Sequence, residues 1–314
     1  MTALRTRPWL LTLAVLAVLC VVSVILQPNF FTARILKSNV TTFLPLVLVA
    51  IGQCYVILCG DIDLSVGSIV ALVNVVTVST IAAMGADAGV GAILLGMAAG
   101  ILTGALAGLF NGVMIAALRL QPIVTTFATG IIFAAVAIWV LPMAGLAVPA
   151  AYWRTYGGAL LGLPVVMWIM ALAVVWALVF ARTRLHAHFL AVGGNRTGAF
   201  QSGLPVEGLR IRAYILSGVF AALAALCLTG ETASGDPLLG QSLALSAISG
   251  VVLGGTALAG GAGSALGAIL GALVLGLIGN VIFFAGLPFE YQTLVQGLIV
   301  LAALAGGVFV ARRG

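Results

Sequence analysis

The sequence predicts an all-α polytopic membrane protein organised as one transmembrane domain over residues 1–314. Three observations carry that reading. Hydrophobic residues make up 63% of the chain and charged ones only 6%, with a mean hydropathy of +1.30. Apolar runs of about 18 residues or more recur, and about 20 helical residues cross the hydrocarbon of a bilayer. Ten-residue segments of alternating polarity, the mark of a membrane barrel, are missing, whereas a helix satisfies its own backbone polar groups in an apolar medium.

Ten runs qualify as spans, at approximately 9–26, 41–59, 66–85, 89–117, 122–141, 161–181, 213–230, 242–260, 264–285 and 290–310. The first follows Arg5 and Arg7, as in a signal peptide. No small-x-small cleavage site comes after it, the chain continuing Val24-Ile25-Leu26-Gln27-Pro28, so it reads as a retained helix. Basic loops stay in the cytoplasm. With both termini inside, Arg5, Arg7, Arg119, Arg182, Arg184, Arg196, Arg210, Arg212, Arg312 and Arg313 face the cytoplasm, against Arg34, Lys37 and Arg154 outside, a split of 10 to 3. The net charge of +6 therefore reports topology, and its dispersal over separate loops excludes a nucleic-acid surface. Residues 182–212 form the largest cytoplasmic connection; 142–160 and 231–241 are the largest outside. Trp139, Tyr152, Trp153 and Tyr156 cluster near the external interface as an aromatic belt.

Two stretches carry glycine at every fourth position: Gly96, Gly100, Gly104, Gly108 and Gly112, then Gly263, Gly267 and Gly271 with Gly279 beyond. Such a row lies on one helix face and lets another backbone approach closely, so these glycines read as helix-packing positions. A shift of 167 lays four of the first set on the second, and Gly60-Asp61 corresponds to Gly235-Asp236 across a gap of about eight residues. Spans 2–5 then repeat as spans 7–10. An odd offset of five spans inverts one copy, as in many transporters.

Enzyme chemistry finds no support. The only lysine is Lys37, so a phosphate-binding Gly-x-x-x-x-Gly-Lys loop is impossible on this chain. Cys20, Cys54, Cys59 and Cys227 form no CxxC pair and read as small buried hydrophobes. His186 and His188 are two apart, which puts them on different helix faces and makes a poor metal site; they read as a solvated or interfacial pair. No metal site is expected.

The informative residues are acidic. Asp61 and Asp63 are two of only seven acidic residues, and they sit between long apolar runs in Gly60-Asp61-Ile62-Asp63-Leu64-Ser65-Val66-Gly67-Ser68. A carboxylate at membrane depth costs about 2.5–3.5 kcal/mol on insertion scales. Three readings stay open: capping of the following helix, a direct part in gating, and proton or cation coupling.

These residues also carry a resemblance. The run from Gly60 to Ser68 is similar to the Gly-Gly-Ile-Asp-Leu-Ser-Val-Gly-Ser signature of ribose/arabinose/xylose-type ABC transporter permeases. So are Ala191-Val192-Gly193-Gly194-Asn195-Arg196 with Ser202-Gly203, Val251-Val252-Leu253-Gly254-Gly255-Thr256, and Gln121-Pro122-Ile123-Val124-Thr125-Thr126. The resemblance runs from about residue 28 to the C-terminus. Asp61 stands where that family commonly has glycine, and Thr197-Gly198-Ala199 replaces an acidic residue and two alanines. It implies a bacterial inner-membrane permease subunit for import of a monosaccharide or polyol by alternating access. It further implies a second permease copy, separate ATPase subunits holding ATP and magnesium, and a periplasmic sugar-binding protein. Gly60, Asp61, Asp63, Ser65 and Gly67 form the signature loop. Gly193, Gly194, Asn195, Arg196 and Gly203 form the ATPase-coupling segment, with a short coupling helix within 190–204. Thr125, Thr126, Thr129, Gln292 and Gln296 are the residues expected to line a sugar pathway, while Asn74, Asn111 and Asn280 read as interhelical hydrogen-bond partners. An ion-coupled secondary transporter using Asp61 or Asp63 is the competing reading.

Overall fold

The computed structural model describes residues 9–85 and 89–288, together with 290, 291, 293–295, 297, 298 and 301. Twelve α-helices are named here: α1 (Trp9–Leu26), α2 (Ala33–Leu58), α3 (Val66–Ala83), α4 (Val90–Gly112), α5 (Pro122–Val140), α6 (Ala150–Tyr156), α7 (Val165–Phe180), α8 (Arg184–Gly194), α9 (Arg196–Gln201), α10 (Val206–Thr232), α11 (Leu243–Leu253) and α12 (Ala265–Phe284). A π-helical turn, Val113–Ala117, extends α4. Four two-residue strands make two small antiparallel pairs: β1 (Leu146–Ala147) with the distant β4 (Ser234–Gly235), and β2 (Ala159–Leu160) with β3 (Leu163–Pro164) in a hairpin.

Among the described residues, six helices are long and apolar enough to cross a membrane: α2, α3, α4 with its π turn, α5, α10 and α12. The pair α7 and α8, bent by 70°, makes a seventh if it is one span. The protein is thus a polytopic helical membrane protein. Most of the expected tenth span, with Gln292, Gln296 and the terminal arginines Arg5, Arg7, Arg312 and Arg313, lies outside the described residues.

The centre is α2 and α10, whose apolar runs leave Leu44, Ile51, Tyr55, Leu58, Tyr214 and Ala221 fully buried. α4 packs against α3 and α10, and α12 packs against α11 and α2. The glycine row explains these contacts. A Cβ on Gly100 would strike Thr77 of α3, one on Gly104 would strike the Gly218 carbonyl of α10, and one on Gly108 the Tyr214 carbonyl. Gly96 faces Ile81 in the same way. On α12, Gly267 and Gly271 meet the backbones of Gly254 and Gly250 at the end of α11. Gly263 departs from the expected face: it precedes the Ser264 cap of α12, with φ +140°, and lies against Thr256.

Three sequence expectations are corrected. The run 242–260 is not one helix. A non-helical segment at 235–242, mostly turns, lies along α3, with Gly235 against Val78 and Gly240 against Val70, and only the 11 residues of α11 are helical. Eleven residues reach ~17 Å, short of the ~30 Å of hydrocarbon. Hydropathy registers the apolar composition of such a stretch but not the glycines that unwind it. The spans expected at 41–59 and 213–230 begin earlier, at Ala33 and Val206, because polar ends such as Arg34 and Arg210 continue the helix beyond the apolar window. Tyr152 and Tyr156 are buried, with Tyr152 donating its hydroxyl proton to the Leu226 carbonyl at 3.0 Å, so only Trp139 and Trp153 remain exposed from the expected belt.

The row predicts a sharp positional contrast. Gly104→Leu overpacks a backbone contact and should lower stability by at least about 1–3 kcal/mol. Gly91→Leu, at an open position on the same helix, should leave the thermal unfolding midpoint in detergent unchanged. Equal behaviour of the two variants would show that the row does not set the packing.

Candidate functional site

Polar chemistry concentrates where α2 ends and α3 begins. α2 stops through a glycine cap: Gly60 takes φ +77°, its N–H bonds the Ile57 carbonyl at 2.8 Å, and the Asp61 N–H bonds the Val56 carbonyl at 3.2 Å. Only a residue without Cβ adopts that conformation freely, and the reversal aims Asp61 inward.

Asp61 is fully buried and held by two arginines. Arg210 of α10 grips it side-on, Nε 2.8 Å from Oδ2 and Nη2 3.1 Å from Oδ1, while its Nη1 reaches the Ile115 carbonyl of the π turn at 3.5 Å. Arg196, the first residue of α9, donates through Nη2 to Asp61 Oδ1 and to the Cys59 and Gly60 carbonyls. The Arg210 side chain is 10% exposed and that of Arg196 43%. Arg210 was legible in the sequence only as an orientation charge. The signal that points to it is the need of a carboxylate at this depth for a cation.

Asp63 has a different environment. Its Oδ1 accepts from the Ser65 N–H at 2.9 Å and the Ser65 hydroxyl at 2.6 Å, and its Oδ2 accepts from the Ser217 hydroxyl at 3.2 Å. Asn111 Nδ2 donates to Ser65 Oγ at 2.7 Å. The Gln53 carboxamide, oriented to satisfy both its ends, brackets the Asp63 peptide at 3.1 and 3.2 Å. Asp63 thus organises the N-terminus of α3, ties it to α10 through Ser217, and has Ser65 linked to α4. Ser217 lies ~16 Å from the start of α10 and ~22 Å from its end, so α3 starts well inside the bundle. Gly67, in its first turn, abuts the Gly240 and Gln241 carbonyls, so the non-helical segment 235–242 reaches the same depth.

Of the three threonines on α5, Thr126 completes this loop. Its Oγ1 accepts from the Leu64 N–H at 3.0 Å and donates to the Pro122 carbonyl at 2.9 Å. Thr125 and Thr129 are also buried and donate to carbonyls of their own helix region, Gln121 and Thr126. The asparagines bridge helices: Asn74 of α3 donates to Thr229 Oγ1 of α10 at 2.7 Å, and Asn280 of α12 to Asn39 Oδ1 of α2 at 2.9 Å.

The segment 182–212 docks on this end of the bundle. Thr183 caps α8 and Asn195 caps α9, the latter accepting from the Gly198 N–H at 2.8 Å. Gly203, two residues past the end of α9, takes φ +81° and places its N–H on the Phe200 carbonyl at 2.9 Å. Three backbones converge without side chains between them. A Cβ on Gly193 would strike the Leu58 carbonyl, one on Gly260 would meet Gly60, and one on Gly261 would meet Gly194. The Gly261 N–H bonds the Leu58 carbonyl at 3.1 Å. Of the histidines expected to form a solvated or interfacial pair, His186 is buried, with its ring edge-on to Phe180 and burial holding its imidazole below the usual value, and His188 is half-buried. No group of three or more histidine, cysteine or acidic side chains placed to hold a metal occurs among the described residues.

Residues 35–310 match the model of the branched-chain amino acid transport system / permease component family. The chain belongs to this permease family. Its relatives include the ribose import permease protein RbsC of Escherichia coli strain K12, 33% identical over 95% of this chain and 94% of that protein. RbsC of Bacillus subtilis strain 168 is 33% identical over 92% and 89%, and the L-arabinose ABC transporter permease protein AraH of Azospirillum brasilense 32% over 88% and 80%. Within this permease, the geometry makes Asp61 part of an ion triad and Asp63 the acceptor that starts α3.

Asp63→Ala should orphan the Ser65 and Ser217 donors and lower stability by about 1–3 kcal/mol per buried group left unpaired. Ser217→Ala leaves Asp63 Oδ2 as the single unpaired acceptor and should cost about 1–3 kcal/mol once, less than Asp63→Ala, which orphans the Ser65 N–H, the Ser65 hydroxyl and the Ser217 hydroxyl together. Matched thermal melts in detergent test this; equal shifts would mean that Asp63 is not the hub.

Proposed function

We propose that this chain is the membrane-spanning subunit of a binding-protein-dependent ABC importer for a monosaccharide or related polyol, in the bacterial inner membrane. The observation that carries it is the likeness, over nearly the whole chain, to import permeases named for ribose and arabinose. The geometry fits the reading. A sequence without a phosphate-binding loop needs an external energy source, and segment 182–212 offers a partner a docked surface, with Phe200 of α9 exposed beside the ion triad.

In this reading Gly193, Gly194, Asn195, Arg196 and Gly203 shape the ATPase-coupling corner, with α9 as the coupling helix. ATP and magnesium are held by the partner ATPase subunits. A periplasmic sugar-binding protein delivers substrate outside, and a second permease copy, identical or not, completes the membrane domain. The chain itself is not an enzyme.

The chain crosses ten times with both termini in the cytoplasm, the eighth crossing made by the non-helical segment 235–242 together with the short α11, and spans 2–5 repeat inverted as spans 7–10. Two features support the repeat. α4 sits on α3 and α10 as α12 sits on α11 and α2. Gly60-Asp61 lies beside Gly193 and Arg196, whereas Gly235-Asp236 lies at the opposite end of α3, beside Leu141 and Val78. The sugar passes beside the unwound backbone of 235–242, where Gln241 and Ser242 are exposed at the depth of the α3 start, since such backbone persists at depth only in protein or beside water. Thr125, Thr126 and Thr129 of α5 belong to that path; Gln292 and Gln296, expected from the sequence to line it as well, lie outside the described residues.

Purification of the C-terminally tagged chain from native membranes should bring down a P-loop ATPase in stoichiometric amount. Proteoliposomes holding that complex should accumulate sugar only with ATP and the loaded binding protein. Uptake by the chain alone under an ion gradient would replace this reading with a secondary transporter.

A further inference from the structure

We propose that Asp61, Arg196 and Arg210 form a two-position ion latch that transmits displacement of α9 to the start of α3. The proposal rests on the reading of α9 as the ATPase contact. Three observations place the latch in the force path. Arg196 is the first residue of α9 and its guanidinium spans the end of α2, touching Cys59, Gly60 and Asp61 together. Arg210 ties the same carboxylate to α10 and, through the Ile115 carbonyl, to the π turn of α4. Asp61 is two residues before Asp63, whose carboxylate holds the first turn of α3.

The charge count explains why the latch can open. Removing the only partner of a buried charge costs about 3–5 kcal/mol. Asp61 has two cations. If α9 moves away, Arg196 enters water from a site already 43% exposed, while Arg210 still compensates the carboxylate from a buried position. Docked and undocked arrangements are then both compensated and lie close in energy, which is what a switching element requires. A single arginine at either place would give one rigid pair. The neighbouring contacts cannot share the motion: Gly193 and Gly261 meet Leu58, Gly260 meets Gly60, and Gly194 meets Gly261, all backbone to backbone with no side chain to re-seat. The corner around them stays fixed and Arg196 is the part free to swing. Asp61 and Arg210 are positioning residues here, acting on the α3 terminus rather than on sugar.

The measurement is sugar moved per ATP hydrolysed, in proteoliposomes holding the permease, its ATPase and its binding protein. Arg196→Gln should lower that ratio about tenfold, within the usual range of allosteric coupling. Asp61→Asn should lower it comparably, and the double variant should be no worse than either single one, because both cut the same link. Asp61→Glu should restore most of the ratio. Arg196→Gln changes a half-exposed side chain, so this arm survives if Asp61→Asn fails to fold. An unchanged ratio in assembled Arg196→Gln complexes, or additive losses in the double variant, would overturn the latch. Failure of the unaltered chain to assemble with any ATPase would instead remove the reading beneath it.

Discussion

A carboxylate sealed between two guanidinium groups is the constraint on which this end of the molecule depends. Burying Asp61 without a partner would cost several kcal/mol, and the chain resolves this by bringing three distant pieces of sequence to one point. The α2 cap must reverse at Gly60 to aim the carboxylate inward. α10 must bring Arg210 to it from below Ser217. The 182–212 segment must fold back so that Arg196 covers the remaining lone pairs. Each requirement fixes a backbone path, so one ion triad sets the mutual register of α2, α9, α10 and the π turn of α4.

Above the triad, glycine takes over. Within lipid no hydrophobic force drives one apolar helix onto another, and association depends on close packing and interhelical hydrogen bonds. Gly104 against Gly218 and Gly271 against Gly250 let backbones touch, and the bridges from Asn74 to Thr229 and from Asn280 to Asn39 add polar links. The asparagines therefore serve architecture. What remains polar and less enclosed lies along the unwound segment 235–242, where Gln241 and Ser242 are exposed at the depth of the α3 terminus.

The parts legible in the sequence are those that one residue type dictates. Apolar runs gave most helices, a four-residue glycine spacing marked faces where backbones touch, and two acidic residues among so many apolar ones marked the site. Features that depend on pairing were not legible. Arg210 looks like any cytoplasmic arginine until α10 is placed beside the α2 cap, because nothing in its own neighbours names a carboxylate 149 positions away. The break at 254–256 hides inside an apolar run, since glycine counts as neutral in hydropathy yet ends α11. Tyr152 and Tyr156 fall four apart on α6 and turn one face inward, a matter of packing that an interfacial composition does not reveal.

Rigid and movable contacts are separated by chemistry. Glycine-to-glycine packing has no alternative arrangement, since a backbone atom displaced by an ångström simply loses its partner. A guanidinium at a water boundary does have one, because its charge is satisfied on either side. At the corner of α8 and α9 the two kinds stand next to each other: Gly193 fixes where the corner meets α2, Gly194 packs on Gly261, and Arg196, two residues on, can exchange a carboxylate for water. In the proposed latch, a partner pushing on α9 would therefore meet stiffness at the corner and a choice at the arginine. That combination would convert a push into a change of state at the start of α3.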